Sequence, residues 1–174
     1  MKAILVSLMG GALLFCSTTA AGGEPEGLSR AIQFAGRFHP LAVHFPIALI
    51  LAAVLAEFLL FVTGRRGFSE AGHFAVVTGA LGAIAAITLG LASAAYASYS
   101  GKYADTLALH RGLGIAAGAF AVLAAVLSAL SRREKASPRL VWVYRGALLI
   151  AAALVGVAGH LGATLVYGFD LLKW

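Results

Sequence analysis

Five histidines interrupt a chain that is otherwise 61% hydrophobic, and four of them stand at the ends of long aliphatic runs. His39 and His44 fall in the stretch RFHPLAVHFPIAL, residues 37–49, while His110 opens one later run and His160 closes another. A neutral imidazole nitrogen binds haem iron, copper or zinc. Ionisable groups inside membrane segments are costly and tend to mark a site. The plainer reading of any single interfacial histidine is a hydrogen bond to a headgroup, water or a backbone carbonyl.

Other chemistries are excluded by residues that are missing. Cys16 is the only cysteine, and it falls in a segment expected to be removed. The remaining chain therefore has no disulfide, iron–sulfur cluster or covalently attached c-type haem. No lysine lies within an apolar run, so a retinal Schiff base has no anchor. There is no Walker loop, no HExxH and no Ser/His/Asp set on loops, which leaves hydrolase chemistry without footing.

The elements that must position the histidines follow from composition. Mean hydropathy is +0.93 and only 11% of residues are charged, values that make the bilayer the solvent. Residues 1–21 read as a secretory signal peptide: Lys2 is the basic end, AILVSLMGGALLF the apolar stretch, and STTAAGG the cleavage region. Phe15 before Cys16 is a poor lipobox residue, which argues against lipidation. Residues 22–40 form an exported lead-in segment, 41–166 a transmembrane domain and 167–174 a short tail. Within the domain four continuous runs are long enough to cross a membrane, at 41–63, 73–95, 107–130 and 140–166. Continuous runs with short gaps predict an all-α, integral membrane, antiparallel four-helix bundle rather than a β-barrel.

Charge sets its direction. Arg65 and Arg66 occupy the first gap, and Arg132, Arg133, Lys135 and Arg139 the third, whereas the second has Lys102 against Asp105. The positive-inside rule puts the first and third gaps in the cytoplasm and both termini on the outer, periplasmic side of the membrane. The net charge of +6 is thus a topology signal, and nucleic acid is not expected as a partner. Phe34, Phe38, Tyr96, Tyr99, Tyr103, Tyr167 and Trp174 are expected at the outer interface, Phe61, Phe68, Trp142 and Tyr144 at the inner one.

This topology brings His39, His44, His110 and His160 to one outer level, leaving only His73 at the inner face. From Leu140 to His160, at ~1.5 Å per residue, is ~30 Å, the thickness of the apolar layer. His44, His110 and His160 each share a helical face with glycines and alanines, and the second run carries a similar stripe from Gly79 to Ser93. Such stripes leave room for a flat cofactor, or else they close in small-xxx-small packing. Two imidazoles from facing helices suit heme b, and His110 with His160 is the expected axial pair because both are firmly helical and neither adjoins a proline. His44 is the substitute ligand or a hydrogen-bonding neighbour, and His39, before Pro40, borders the site from the lead-in. Arg37 and Arg111 can hold propionates. Copper or zinc on His44, His110 and His160 ranks second, since no thiolate and few carboxylates lie near. Glu57, towards the inner end of the first run, has His73, Arg65 or Arg145 as candidate partners, or reaches the interface instead.

HPLAVHFPIAL, HRGLGIA and GHLGATLVYG together resemble the bacterial membrane-protein family called domain of unknown function 2231, over essentially the whole chain after residue 21. The resemblance implies a four-helix integral membrane domain and matches His39, His44, His110 and His160. Relatives that stand beside or are fused to c-type cytochrome modules imply a role near electron transfer by association. The expected function is a b-type cytochrome-like electron-transfer subunit working with a c-type cytochrome or other redox subunits, with quinone as a further partner and lipid around it. The competing expectation is a non-catalytic scaffold or accessory subunit whose histidines bind a metal ion or nothing. Solute transport is a third, against which the nearly charge-free helix interiors argue.

Overall fold

In a bilayer, backbone N–H and C=O groups must find partners within the protein, and uninterrupted apolar runs do this as helices. The computed structural model describes residues 26–64, 69–133 and 137–170, and these are helical apart from short connections. Six helices follow in order: α1 (Glu26–Gly36), α2 (His39–Ala42), α3 (His44–Val62), α4 (Glu70–Ala94), α5 (Lys102–Ser131) and α6 (Pro138–Tyr167). Four stretches are long and apolar enough to cross a membrane: α1–α3 taken together, α4, α5 and α6. Over the described residues the protein is all-helical, a membrane protein with four candidate spans. The expected signal peptide with Cys16, and Arg65, Arg66, Phe68 and Trp174, lie outside the described residues.

Local chemistry sets where these helices begin and end. Ser69 caps α4 by accepting from the Gly72 N–H at 3.0 Å, and Ser137 caps α6 with Pro138 in its first turn. Gly64 (φ +67°) follows α3 and Gly168 (φ +87°) follows α6, each in a conformation that ends a helix. Pro40 and Pro46 sit in the first turns of α2 and α3, where a missing N–H costs little. The segment expected as a lead-in is helical where described. Gly36 packs on the backbone of Ser93, and the Tyr96 hydroxyl donates to the Ser29 carbonyl at 3.1 Å. The polar first turn of α5, with Lys102 and Asp105, extends that helix beyond its apolar run, because helix formation does not need hydrophobicity.

Contacts between helices fix the packing. His39 reaches Ala86 while Ser69 reaches Glu57, so α3 and α4 run antiparallel; His110 reaches Ala158 while Tyr103 reaches Phe169, so α5 and α6 do too. The middle of the bundle is narrow, built on Ile50, Ala53, Val76, Ala121, Ala124 and Leu148. Small residues dominate because helices in lipid associate by close backbone approach rather than by hiding oily surface from water. Phe34, Phe38, Tyr96, Tyr99, Tyr103 and Tyr167 are exposed around the histidine end, and Phe61 and Trp142 around the other. Tyr144 departs from expectation: it is fully buried, because its hydroxyl has a carboxylate partner inside the bundle.

Candidate functional site

Two histidines meet at one end of the bundle. His39 is the first residue of α2, and its Nδ1 lies 2.9 Å from the Ala86 carbonyl oxygen on α4. His110, near the start of α5, places its Nδ1 2.9 Å from the Ala158 carbonyl oxygen on α6. A carbonyl only accepts, so each Nδ1 carries the proton, and a neutral ring then holds its lone pair on Nε2. The two rings lie with centroids 6.1 Å apart and planes at 76°. Both are half-buried.

Each ring lies against a glycine. A Cβ at Gly90 would stand 2.8 Å from His39 Cε1, and one at Gly162 would stand 3.1 Å from His110 Cε1. The glycine sits four residues after the accepting carbonyl in both cases. Side chains on a helix lean towards its N-terminus, so a Cβ there would crowd the oxygen that the imidazole needs.

Around the pair is a cavity of about 510 Å³ with walls from all four spans. His39, His44, Ala86, His110, Gly114 and Gly159 are among its lining residues. The small-residue stripes behave differently along their length. Towards the middle they close: Gly79 packs on Leu49 and Ile50, and Gly118 on Ile87. At the histidine end Gly114 and Gly159 have nothing within 4 Å of a Cβ position, so the gap stays open there. Its size suits a cofactor, within the range of roughly 300–1,000 Å³ of small-molecule sites.

The expected pairing of His110 with His160 is not the one the fold brings together. Ala158 and Gly162 face the bundle, and His160, two residues from either, is turned by about 200° from Ala158. Its side chain is exposed and is not among those lining the cavity. His44 lines the cavity wall but is exposed, with Nδ1 2.6 Å from the Pro40 carbonyl oxygen. Arg111 borders the cavity; Arg37, exposed in the turn after α1, does not. Among the described residues, no three His, Cys, Asp or Glu side chains converge as a metal-binding group.

His39 was placed at the margin by its proline neighbour, yet the tertiary fold makes it His110's partner. Gly90 and Gly162 were visible only as members of small-residue stripes. The signal that distinguishes them is their spacing from the histidines: Gly90 follows His39, and Gly162 follows His110, by nearly equal intervals.

The opposite end holds a second polar cluster. Glu57 is 4% exposed, and its Oε2 accepts from Arg145 Nε at 2.9 Å. Its Oε1 accepts from the Ser69 N–H at 2.8 Å and the Tyr144 hydroxyl at 3.3 Å. Of the two candidate partners among the described residues, Arg145 is the one that pairs with Glu57. His73 Nδ1 instead lies 2.8 Å from the Ser128 hydroxyl on α5. Glu70 and Arg132 form an ion pair between the start of α4 and the end of α5. Buried charge here is paired and hydrogen-bonded, as burial requires.

The family described as "Predicted membrane protein (DUF2231)" matches residues 37–172. No curated protein and no solved structure matches the chain.

Proposed function

The chain belongs to the DUF2231 family of predicted membrane proteins, and from that premise we propose that it is a b-type cytochrome-like electron-transfer subunit. His39 and His110 would hold its haem at the histidine end, in place of the pair expected from sequence. One observation carries this reading: two half-buried imidazoles face a shared cavity, each with Nδ1 bound to a carbonyl and Nε2 left to donate. The ring centroids, 6.1 Å apart, lie close enough for both imidazoles to reach one metal ion through bonds of ~2.0 Å. An Nδ1–H bond to a carbonyl is the usual outer partner of a metal-bound histidine.

The protein's own residues supply the rest of the site. Arg111 at the cavity edge suits a carboxylate such as a propionate, and the apolar walls exclude water. The excess of arginine at the Glu57 end supports an orientation with that end in the cytoplasm of a bacterial inner membrane and the haem near the periplasmic face. There it would exchange electrons with a c-type cytochrome or another exported redox subunit, and with quinone in the surrounding lipid.

A reduced-minus-oxidised difference spectrum of protein purified from cells with ample haem supply tests the reading. A Soret and a sharp α-band are expected. Their absence from well-folded protein overturns the haem assignment.

A further inference from the structure

The spacing of polar contacts repeats through the chain. His110 follows His39, and Ser128 follows Glu57, by 71 positions (39 to 110, 57 to 128). Arg145 follows His73, Ala158 follows Ala86, and Gly162 follows Gly90, by 72 (73 to 145, 86 to 158, 90 to 162). The contacts repeat with the residues. His39 on Ala86 and Gly90 becomes His110 on Ala158 and Gly162. Glu57 of α3 with Arg145 of α6 becomes Ser128 of α5 with His73 of α4.

Burial repeats as well. All four buried residues of α3, namely Pro46, Ile50, Ala53 and Glu57, have buried counterparts at Ala117, Ala121, Ala124 and Ser128 of α5. In α4, Gly72, Ala75, Val76, Gly79 and Ala86 correspond to Tyr144, Ala147, Leu148, Ala151 and Ala158, all buried in α6. Ala80 and Ala83 of α4 are also buried, against partly buried counterparts at Ala152 and Val155, so the inward faces match at most positions while side-chain sizes and charges have diverged. The shift from 71 to 72 corresponds to one more residue between the paired sites of the second half.

We infer that the domain is a tandem duplication of one helical hairpin, and that Ala86/Gly90 and Ala158/Gly162 are paired positioning elements. They present two equivalent bare Nε2 atoms to a single ligand on the pseudo-two-fold axis between the hairpins. The equivalent helices α3 and α5 run in the same direction, so this axis lies along the bundle, as in parallel repeats of membrane proteins. In each half the accepting carbonyl uses a second lone pair for the imidazole, since its helix partner four residues on already uses one. The missing Cβ at that partner lets the ring approach. The consequence is one ligand held from both sides by matched donors, with no proximal and distal side. The ligand's identity rests on the haem reading above; the positioning does not.

The full-length protein in detergent tests both. In the haem-free form, long-range ¹H–¹⁵N correlation spectra should show His39 and His110 as Nδ1–H tautomers, and Gly90→Ala and Gly162→Ala should each perturb only their own histidine. In the haem-loaded form, each substitution should raise the midpoint potential by a comparable amount, because loosening the Nδ1–H bond weakens the Nε2 donor that stabilises ferric iron. Gly156→Ala, on an open surface, should leave both signals unchanged. Nε2–H tautomers at either histidine, or a potential shift from only one glycine, overturn the inference while leaving the haem reading intact. Protein that takes up no haem but shows both Nδ1–H tautomers, each lost with its own glycine, supports the positioning and removes the haem reading.

Discussion

His39 and His110 face each other across the bundle with ring centroids 6.1 Å apart, although 70 residues separate them in the chain. Each is fastened through Nδ1 to a backbone carbonyl on the other helix of its own hairpin. The contact between the two rings therefore joins hairpin to hairpin. This arrangement makes the two residues the centre of the candidate site, with His44 at its edge and His160 outside it.

If they are the axial pair, His39→Ala and His110→Ala should each abolish the low-spin spectrum of the haem-loaded protein. His160→Ala should leave that spectrum unchanged, because the side chain is exposed on the far face of α6. Absorption and EPR spectra of the three variants decide the matter. Loss of the signal in His160→Ala would refute the pairing.

Filling the cavity should exclude the cofactor without disturbing the bundle. Gly114 lines the cavity with open space at its Cβ position, whereas Gly156 has open space but does not line it. Gly114→Leu should reduce the haem-to-protein ratio to near zero, and Gly156→Leu should leave it as in the parent protein. Pyridine haemochrome assays on the purified variants measure this, with helix content by circular dichroism as the check on folding.

The Glu57–Arg145 pair should behave as a buried unit. Arg145→Met leaves the buried Glu57 carboxylate without its ion pair, at a cost of about 3–5 kcal/mol, and Glu57→Gln should cost less because Arg145 is only partly buried. The double variant should lose less than the sum of the two, with a coupling of roughly 0.5–3 kcal/mol. Denaturant titration in micelles gives all three values. Strict additivity would show that the pair does not act as a unit.

Topology is tested by labelling. In a Cys16→Ser background, Lys102→Cys should react with a membrane-impermeant maleimide on intact spheroplasts. Arg133→Cys should react only after the membrane is permeabilised. The reverse pattern would place the histidine end in the cytoplasm.

Much of this architecture follows from the sequence alone, for physical reasons. Four uninterrupted apolar runs must become helices in lipid, since no other structure of that length satisfies its own backbone there. The short gaps then force neighbours to be antiparallel. Depth along a helix is linear in residue number, so His39, His44, His110 and His160 could be assigned to one level before any packing was known. The cluster near Glu57 was legible in the same way, but only as three possible partners.

Tertiary structure decided which residues share that level productively. Rotation about a helix axis depends on packing against neighbours, and small residues lie on several faces of α6, so hydropathy did not fix which way His160 turns. Packing of Ala158 and Gly162 against His110 turns it outwards. Pro40 marked His39 as a residue outside the regular helix; the short α2 instead carries it against Ala86 on α4. Whether a glycine stripe closes or stays open is likewise a matter of interhelical distance, which is why Gly79 touches Leu49 and Ile50 while Gly114 faces empty space. The chain's composition placed imidazoles at one depth, and the packing of two related hairpins selected His39 and His110 from among them.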